Sequence, residues 1–253
     1  MPDLEQTDFT RPDNRAPHEL RPIEIIRNYT KHAPGSVLVA FGDTRVLVTA
    51  SIEERVPRHI HQLGLETHGW VTAEYSMLPA ATQQRTQRER QKIGGRTNEI
   101  QRLIGRCLRA SVAMEKLGNR TFTIDADVLQ ADGGTRVAAI TGGFVALVDA
   151  MKHLQNEGLM GEDLPILSPI AAVSVGIVQG NELLDLNYEE DSTADVDANV
   201  IMNAKGEIIE LQASSERMPF TRQSLDKLVD LAHGGISQLI NLQLEALNLA
   251  QPV

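Results

Sequence analysis

The sequence predicts an α+β fold, in which mixed sheets pack against helices. Segments with alternating apolar residues are interspersed with long segments that carry a helical apolar stripe, and the two types do not alternate as strict β-α-β units. Two glycine-glycine turns, Gly94-Gly95 and Gly133-Gly134, each lead directly into one of the helical segments. At 253 residues the chain is long enough to bury a substantial core.

The predicted strands begin with a β-hairpin. Two apolar segments, 37–41 and 45–51, flank Gly42-Asp43-Thr44, which is a typical turn sequence. Phe122, Ile124, Ala126 and Val128 then alternate with polar residues, as expected for a half-buried strand. The remaining predicted strands are 70–75, 171–178, 183–186, 200–203 and 208–212.

Three long helices are predicted, over residues 96–117, 135–154 and 224–249. In the first, apolar residues recur at the i, i+3, i+4, i+7 spacing of an amphipathic helix. The second is rich in alanine and β-branched residues, so we expect it to be well buried. The third has an apolar stripe that could be buried within the chain or against another subunit.

Composition excludes several classes of function. Aromatic residues make up only 4% of the chain, which disfavours a base-stacking platform of the RRM or OB type. No apolar run approaches the ~20 residues that span a bilayer, so we expect no membrane partner. The single cysteine, Cys107, allows no internal disulfide and is consistent with a cytoplasmic location.

The net charge of −10 is unevenly distributed. Residues 85–109 contain eight basic and two acidic side chains, whereas residues 182–197 contain seven acidic side chains and no basic one. This arrangement suits a polyanionic substrate that is processed with a cation. Two ordinary solvated surface segments would give the same pattern.

The two glycine turns are candidate phosphate sites. Glycine lets a backbone approach a ligand closely, and a helix N-terminus offers free N–H groups. Each turn is followed by an arginine, Arg96 or Arg136, whose guanidinium suits phosphate oxygens. We therefore expect Arg96 and the Gly134-Thr135-Arg136 segment to bind phosphate.

The acidic segment is a candidate metal site. Asp191 and Asp197, with Asp195 between them, are predicted to lie in a loop between strands, where carboxylates can bind Mg²⁺ together with substrate phosphates. The alternative is an exposed acidic turn. His59, His61 and His68 lack the cysteine partners or HExxH helix of a zinc site, so we interpret them as loop histidines.

A row of arginines is a candidate nucleic-acid surface. Arg102, Arg106 and Arg109 share one face of the first helix and could follow an RNA backbone, contact a neighbouring subunit, or form a solvated face. Cys107 lies on the apolar side, so we expect it in the core rather than as a nucleophile.

Taken together, these segments resemble the ribonuclease PH family. The resemblance runs from about Arg11 to the C-terminus, with motifs in order and no inserted domain. The motifs include Leu20-Arg-Pro-Ile23, Gly69-Trp-Val-Thr-Ala-Glu-Tyr75, Gly95-Arg-Thr97, Glu99-Ile-Gln-Arg-Leu-Ile-Gly-Arg106, Asp127-Val-Leu-Gln-Ala-Asp-Gly-Gly-Thr-Arg136 and Asp185-Leu-Asn-Tyr-Glu-Glu-Asp191.

The resemblance implies a phosphorolytic 3′→5′ exoribonuclease that trims tRNA precursors and other structured RNA. Such a tRNA nucleotidyltransferase uses inorganic phosphate as co-substrate, releases nucleoside diphosphates and adds nucleotides in reverse. By the same resemblance, Arg96, Gly134, Thr135 and Arg136 hold the phosphate. Asp191 and Asp197 carry the catalytic and metal-binding role with Mg²⁺ (or Mn²⁺). Arg85 and Arg88 would contact RNA, together with Arg102, Arg106 and Arg109.

The resemblance also implies the architecture. It predicts the fold shared with the second domain of ribosomal protein S5, one domain over residues 11–253, a flexible extension over residues 1–10, and a homo-hexameric ring built as a trimer of dimers. The chain departs from the family pattern at Asn14, where a glycine is usual, at Ala80, where an arginine is usual, and at Gln212-Ala-Ser214.

Two other functions compete with this interpretation. One is an inactive RNA-binding or ring-scaffold subunit, which the presence of both arginines and both aspartates disfavours. The other is a metal-dependent hydrolytic nuclease, for which the paired phosphate turns would be superfluous.

Overall fold

The computed structural model describes residues 9–62, 68–89 and 92–249, which form two β-sheets and five α-helices. The strands are β1 (Ile23–Arg27), β2 (Gly35–Phe41), β3 (Thr44–Glu53), β4 (Trp70–Met77), β5 (Thr121–Gln130), β6 (Ile170–Val178), β7 (Asn181–Leu184), β8 (Val196–Asn203) and β9 (Ile208–Ser215). The helices are α1 (Arg58–His61), α2 (Gly95–Ala110), α3 (Thr135–Asn156), α4 (Tyr188–Thr193) and α5 (Arg222–Leu247). The α+β prediction is confirmed.

The first sheet has the strand order β1-β2-β3-β5-β4, and only the β4–β5 pair is parallel. The predicted hairpin is confirmed as β2–β3, in which Phe41 pairs with Thr44. Gly42 in its turn has a φ of +57°, a conformation that glycine adopts without a steric penalty. A Cβ at this position would lie 2.9 Å from the Arg21 side chain, so the turn also makes room for that arginine.

The second sheet is antiparallel, with the order β7-β6-β8-β9. Strand β8 begins at Val196, four residues before the predicted start, because Val196 and Ala198 are buried while Asp197 between them points to the other face. Asp197 therefore lies in a strand and not in the predicted loop.

Helix α3 fills the space between the sheets. It packs on β2 and β3 of the first sheet and on β6 of the second, and 16 of its residues are buried. A Cβ on Gly142 would come within 2.7 Å of Val39 Cγ1, so this glycine permits the close approach of helix and sheet. By length and composition α3 could cross a membrane, but 89% of the relevant window is buried inside the protein, as in a core helix.

Helix α2 ends at Ala110, although the apolar stripe predicted a helix to residue 117. Contacts distant in sequence redirect the chain here: the Ala113 N–H donates to the Pro165 carbonyl, and Val112 pairs with Ile166 in an isolated bridge. A short 3₁₀ turn, Met114–Lys116, follows. Tertiary hydrogen bonds thus override the local helical pattern.

Helix α5 covers the second sheet at β6 and β7. Its N-terminus is capped by Thr221, whose hydroxyl accepts a hydrogen bond from the Ser224 N–H, and it ends at Asn248 in a left-handed conformation. The buried Gln243 donates to the carbonyls of Thr141 and Ile170, which ties α5 to α3 and β6.

Candidate phosphate and metal site

The Gly133–Gly134 turn has the geometry of an anion site at the N-terminus of α3. Both glycines have positive φ, +72° and +68°, and Gly134 is the N-cap of the helix. A Cβ on Gly133 would lie 2.6 Å from the Leu186 carbonyl oxygen and 2.7 Å from the Asn187 carbonyl carbon. Because only glycine fits, the turn can approach the chain just before α4, and no side chain of the cap residue occupies the first N–H groups of α3.

Side-chain hydrogen bonds fix this turn. The Thr44 hydroxyl donates to the Gly133 carbonyl oxygen at 2.6 Å and accepts from the Asp132 N–H at 2.9 Å. The Tyr75 hydroxyl and the Thr135 hydroxyl are 2.8 Å apart. Burial raises the pKa of Tyr75, so its hydroxyl stays protonated and available as a donor.

Asp191 lies on the short helix α4, where a loop was predicted. Asn187 and Glu190 form a capping box at the start of this helix, because the Asn187 side chain accepts from the Glu190 N–H and the Glu190 carboxylate accepts from the Asn187 N–H. Six residues give no apolar period, so hydrophobic patterning missed the helix. The Asn-x-x-Glu sequence was the signal that could have found it.

Asp197 lies in β8, opposite Gly176 of β6 and Ser214 of β9. Burial, together with the charge of Asp191, raises the pKa of Asp197 to about 6. Burial likewise raises the pKa of Asp191. The structure thus brings the two sequence-predicted carboxylates within electrostatic reach of each other, one from a helix and one from a strand.

The Asp197 carboxylate has an unsatisfied oxygen. Its buried Oδ1 has no hydrogen-bond partner among the described residues. A divalent cation between Asp191 and Asp197 would satisfy that oxygen and offset the repulsion between the two charges. The described residues contain no group of three or more His, Cys, Asp or Glu side chains that could hold a metal. Asp191 and Asp197 would therefore supply two carboxylate ligands to Mg²⁺, and oxygens of substrate or water would complete its coordination.

Arg96 and Arg136 occupy equivalent positions, each the second residue of its helix, α2 or α3. Both lower the pKa of Asp191 and of Asp197 through their charge, in opposition to burial. Arg136 has long contacts, 3.3 Å to Gln212 Oε1 and 3.5 Å to Glu99 Oε1, and Arg96 is exposed. Their guanidinium groups thus keep donors free for an anion.

An open cleft of about 570 Å³ lies between several of the predicted site residues. Arg96, Thr135 and Asp191 line it, together with the Gly133 backbone and the segment 82–86, which includes Arg85. Arg88 is exposed, and its charge lowers the pKa of Asp127 while burial raises it. The cleft therefore places the two predicted phosphate elements beside a predicted metal ligand and a predicted RNA contact.

The three arginines of α2 differ in their surroundings. Arg102 is exposed. Arg106 is paired with Glu210 of β9, and Arg109 donates to the Val71 carbonyl and lies over the Trp70 ring, 4.4 Å from its centroid. These contacts leave Arg106 and Arg109 less available to RNA than Arg102, and an RNA role for the row stays a prediction.

Two buried ion pairs hold the segments that carry the candidate site. The sequence pattern did not predict them. Arg11 bonds both oxygens of Glu190, at 2.7 and 2.8 Å, and Arg21 bonds both oxygens of Asp185, at 2.7 and 3.0 Å. Arg21 also donates to the Asp132 carbonyl at 2.5 Å. We call the two pairs Arg11–Glu190 and Arg21–Asp185 the N-terminal ion pairs. They tie the start of the chain to both α4 and the Gly133–Gly134 turn.

Two of the three departures from the family pattern, at Asn14 and at Gln212-Ala-Ser214, can be related to local structure. Asn14 adopts a φ of +62°, in a turn closed by its N–H to the Arg11 carbonyl, and asparagine tolerates this conformation better than most residues. Gln212 supplies the oxygen that contacts Arg136. Ala80 is exposed, and nothing in the structure explains its substitution for arginine.

The residues set aside from chemistry lie outside the cleft. Cys107 is buried, and burial raises its pKa to about 12, which confirms the prediction of a core thiol. His59 and His61 lie in α1 rather than in a loop, and His59 packs edge-on against Trp70. Residues 1–8 of the predicted extension lie outside the described residues, while Phe9 packs against the cluster of Val178, Leu183, Leu186 and Ala194.

Comparisons with known proteins agree with this geometry. Family models described as "3' exoribonuclease family", domain 1 and domain 2, match residues 19–152 and 168–235. One buried core contains residues of both segments, and the prediction of a single domain over 11–253 stays a prediction. Among solved structures, rice Rrp46 has a TM-score of 0.75 at 20% identity, covering 94% of this chain and 100% of that one.

A second solved structure, the Archaeoglobus fulgidus exosome with RNA bound to the active site, has a TM-score of 0.76 at 24% identity over 93% of each chain. At these identities the likeness shows the fold. Proteins named Ribonuclease PH are much closer in sequence. That of Synechococcus sp. JA-2-3B'a(2-13) is 55% identical over 95% of this chain and 98% of its own. That of Corynebacterium kroppenstedtii is 52% identical over 97% and 96%. The chain belongs to the ribonuclease PH family of 3′ exoribonucleases.

Proposed function

We propose that this protein is a phosphorolytic 3′→5′ exoribonuclease that trims the 3′ ends of tRNA precursors and of other structured RNA. The observation that supports this most directly is that the glycine turn at the N-terminus of α3 lines one cleft with Arg96, Thr135 and Asp191, and that Arg136 is the second residue of the same helix. A hydrolytic enzyme needs an anion site only for the phosphate of the linkage that it cleaves, and water is its nucleophile. Phosphorolysis needs a further one, because phosphate is the nucleophile.

In the proposed reaction an oxygen of inorganic phosphate attacks the phosphorus of the last internucleotide linkage. The bond from that phosphorus to the 3′-oxygen of the preceding nucleotide breaks, and this oxygen takes up a proton. The products are a nucleoside 5′-diphosphate and an RNA shorter by one nucleotide. The same steps in reverse add a nucleotide, which makes the enzyme a tRNA nucleotidyltransferase in that direction.

The chain contributes positioning and charge to this reaction. The N–H groups at the start of α3, the Thr135 hydroxyl and the two arginines hold the phosphate in a fixed orientation, which lowers the entropic cost of attack. The same groups are arranged before substrate arrives, so they stabilise the negative charge that develops at the phosphorus without reorganising.

Asp191 and Asp197 would hold the metal ion, Mg²⁺ or Mn²⁺. When bound, the ion would act as a Lewis acid on phosphoryl oxygens. The unsatisfied Oδ1 of Asp197 supports this assignment, because a buried carboxylate oxygen without a donor is costly unless a cation is present. Inorganic phosphate is then a co-substrate and not a cofactor.

Arg85 and Arg88 supply charge for the RNA near the cleft, and Arg102 extends this charge along α2. All three are exposed. Exposed arginines near a cleft neutralise RNA phosphates and release counterions, so RNA affinity should fall steeply as salt rises. Arg106 and Arg109 already bind protein groups and would contribute less.

The protein would act in the cytoplasm as a homo-hexamer, a trimer of dimers. Strand β9 is an edge strand that exposes Ile208 and Leu211, and such an edge is typical of a protein interface. Light scattering on a sizing column should give a mass six times the chain mass of 27.8 kDa. A mass equal to that of one chain would contradict the predicted hexamer but not the candidate site.

The function is tested with a tRNA precursor labelled in its 3′ nucleotide, incubated with Mg²⁺ in the presence and absence of inorganic phosphate. We expect labelled nucleoside diphosphate only when phosphate is present. Nucleoside monophosphate without phosphate would mean a hydrolytic nuclease. Bound RNA with no released nucleotide would mean a scaffold subunit.

A further inference from the structure

Tyr188 is an exposed aromatic residue in the wall of the cleft. Tyr188 belongs to the cleft lining with Arg96, Thr135 and Asp191, and 55% of the residue is exposed. The chain has nine aromatic residues among phenylalanine, tyrosine and tryptophan. A single exposed aromatic residue is common on protein surfaces, but Tyr188 lies in the same cleft as the predicted phosphate and metal groups, where a bound ligand would cover its ring.

The backbone of Tyr188 is held firmly even though its ring is open. Its N–H donates to Asp132 Oδ1 at 3.2 Å, and it begins α4 directly after the Asn187 cap. Gly133 also lies close to Tyr188, because a Cβ on Gly133 would lie 3.0 Å from the Tyr188 nitrogen. The backbone that carries the ring is therefore fixed relative to the Gly133–Gly134 turn.

The position of Tyr188 on α4 relates it to the reacting centre. It precedes Asp191 by three residues, so both side chains lie on the same face of α4, one turn apart. A nucleotide whose phosphate lies between the metal ligands and the Gly133–Gly134 turn carries its base a few ångströms away. Among the cleft-lining residues, Tyr188 is the one with an aromatic ring.

We propose that Tyr188 is the stacking platform for the base of the RNA's 3′-terminal nucleotide. This inference rests on the proposed function and names a base subsite within it. Every base has a flat aromatic surface, so one stack holds the nucleotide without selecting its identity, as an enzyme that removes successive nucleotides requires. The low aromatic content that argues against an extended stacking platform leaves room for this single contact.

The first test compares Tyr188→Ala with Tyr188→Phe in phosphorolysis. Alanine removes the stack, so the KM for RNA should rise by roughly 5- to 100-fold while the KM for phosphate stays constant. Phenylalanine keeps the ring and should retain the wild-type KM. Tyr29→Ala is the matched control, because Tyr29 is 49% exposed and lies outside the cleft lining; it should leave the KM unchanged.

The second test measures the stack itself without turnover. RNA ending in a 3′ 2-aminopurine is bound in the absence of phosphate, and its fluorescence should be quenched by the wild-type protein and by Tyr188→Phe but not by Tyr188→Ala. Replacing the terminal base by an abasic site should abolish the difference in RNA affinity between wild type and Tyr188→Ala.

Three results would overturn the proposal: an unchanged KM for RNA in Tyr188→Ala, a loss in Tyr188→Phe as large as that in Tyr188→Ala, or an equal loss with the abasic RNA. These results are separable from a failure of the proposed function. If the wild type released no nucleoside diphosphate, phosphorolysis would be wrong, while the fluorescence experiment would still report on the stack.

Discussion

Two sets of arginines belong to or contact the segments around the candidate site, and they are paired in opposite ways. The N-terminal ion pairs are buried, with Arg11 and Glu190 each 1% exposed in their side chains and Arg21 and Asp185 4% and 0%. Arg136 is 19% exposed and its carboxylate partner, Glu99, 49%, and their contact is 3.5 Å long. The same residue type is fully bonded in one set and incompletely bonded in the other.

The difference in pairing indicates that the buried arginines stabilise the fold, whereas the partly exposed arginines are available to bind a ligand. A buried guanidinium whose donors are used by protein oxygens fixes two segments of chain and has nothing left for a ligand. A partly exposed guanidinium with long contacts keeps donors for an anion. The N-terminal ion pairs therefore hold α4 and the Gly133–Gly134 turn in place relative to each other, and we expect Arg96 and Arg136 to bind phosphate beside them.

The largest effect should follow from breaking a buried pair. Arg21→Ala removes the close bidentate partner of the buried Asp185 carboxylate, whose remaining ion-pair contact is the longer one, 3.6 Å to Arg15, so the free energy of unfolding should fall by about 3–5 kcal/mol. Urea denaturation measures this change. The matched control is Arg55→Ala, since the Arg55–Glu53 pair is exposed and worth ~1 kcal/mol or less. Equal losses in both variants would show that the N-terminal pair does not support the fold.

The next effect concerns phosphate binding. Arg136→Ala removes charged hydrogen bonds to the phosphate, worth about 1.5–3 kcal/mol, so the KM for inorganic phosphate should rise by roughly 10- to 100-fold while the fold is retained. Phosphate titrations at saturating RNA measure this change. Arg106→Ala is the control, because its guanidinium is paired with Glu210 away from the turn. An unchanged KM in Arg136→Ala would remove Arg136 from the phosphate site.

Asp197 should lower the stability of the metal-free protein at high pH while being required for activity. Its pKa is raised from 3.8 to about 6 in the folded protein, so the folded state binds more protons than the unfolded state between these values. This contribution to stability is present below pH 3.8 and is lost as pH rises through about 6. At pH 8 and without metal, Asp197→Asn should therefore raise the free energy of unfolding by about 1–3 kcal/mol and abolish phosphorolysis.

The wild-type pH profile provides the companion measurement. Protonation of Asp197 competes with metal binding, so at Mg²⁺ concentrations well below saturation kcat/KM should fall as pH decreases through about 6. A less stable Asp197→Asn protein at pH 8, or a pH profile that is flat from pH 8 to pH 5, would contradict a raised pKa at this carboxylate.

The smallest effect distinguishes the exposed arginines from the bonded ones. Arg85→Ala should reduce the slope of log affinity against log salt for RNA by about 0.7–1, the contribution of one phosphate contact. Arg109→Ala should leave the slope unchanged and lower stability by about 1 kcal/mol, because Arg109 bonds Val71 and lies over Trp70. The reverse outcome would restore Arg109 to the RNA surface.

The parts predicted from sequence are those with a local signal. Glycine turns predicted where α2 and α3 begin, alternation predicted β5, and two apolar segments around a turn sequence predicted the β2–β3 hairpin. The end of α2 depends on a hydrogen bond from Ala113 to Pro165, which no local pattern contains.

The candidate site shows the same difference between features with a local sequence signal and features that depend on long-range contacts. The residue types and turns predicted which groups bind phosphate and metal, and the structure brings Asp191, Arg96 and Thr135 into one cleft with Asp197 close by. The supporting pairs were not predictable, because Arg11 and Glu190 are separated by 179 residues and meet only when the chain has folded. The exposure of Tyr188 is likewise a property of the folded surface.

The central claim is that phosphate, held by the Gly133–Gly134 turn and its arginines, is the attacking group. It is tested most directly by running the reaction on a tRNA precursor with ¹⁸O-labelled inorganic phosphate in unlabelled water and analysing the released nucleotide by mass spectrometry. The account predicts nucleoside diphosphate whose terminal phosphate carries the label. Unlabelled nucleoside monophosphate as the product would mean that water attacks, and would contradict the assignment of the turn.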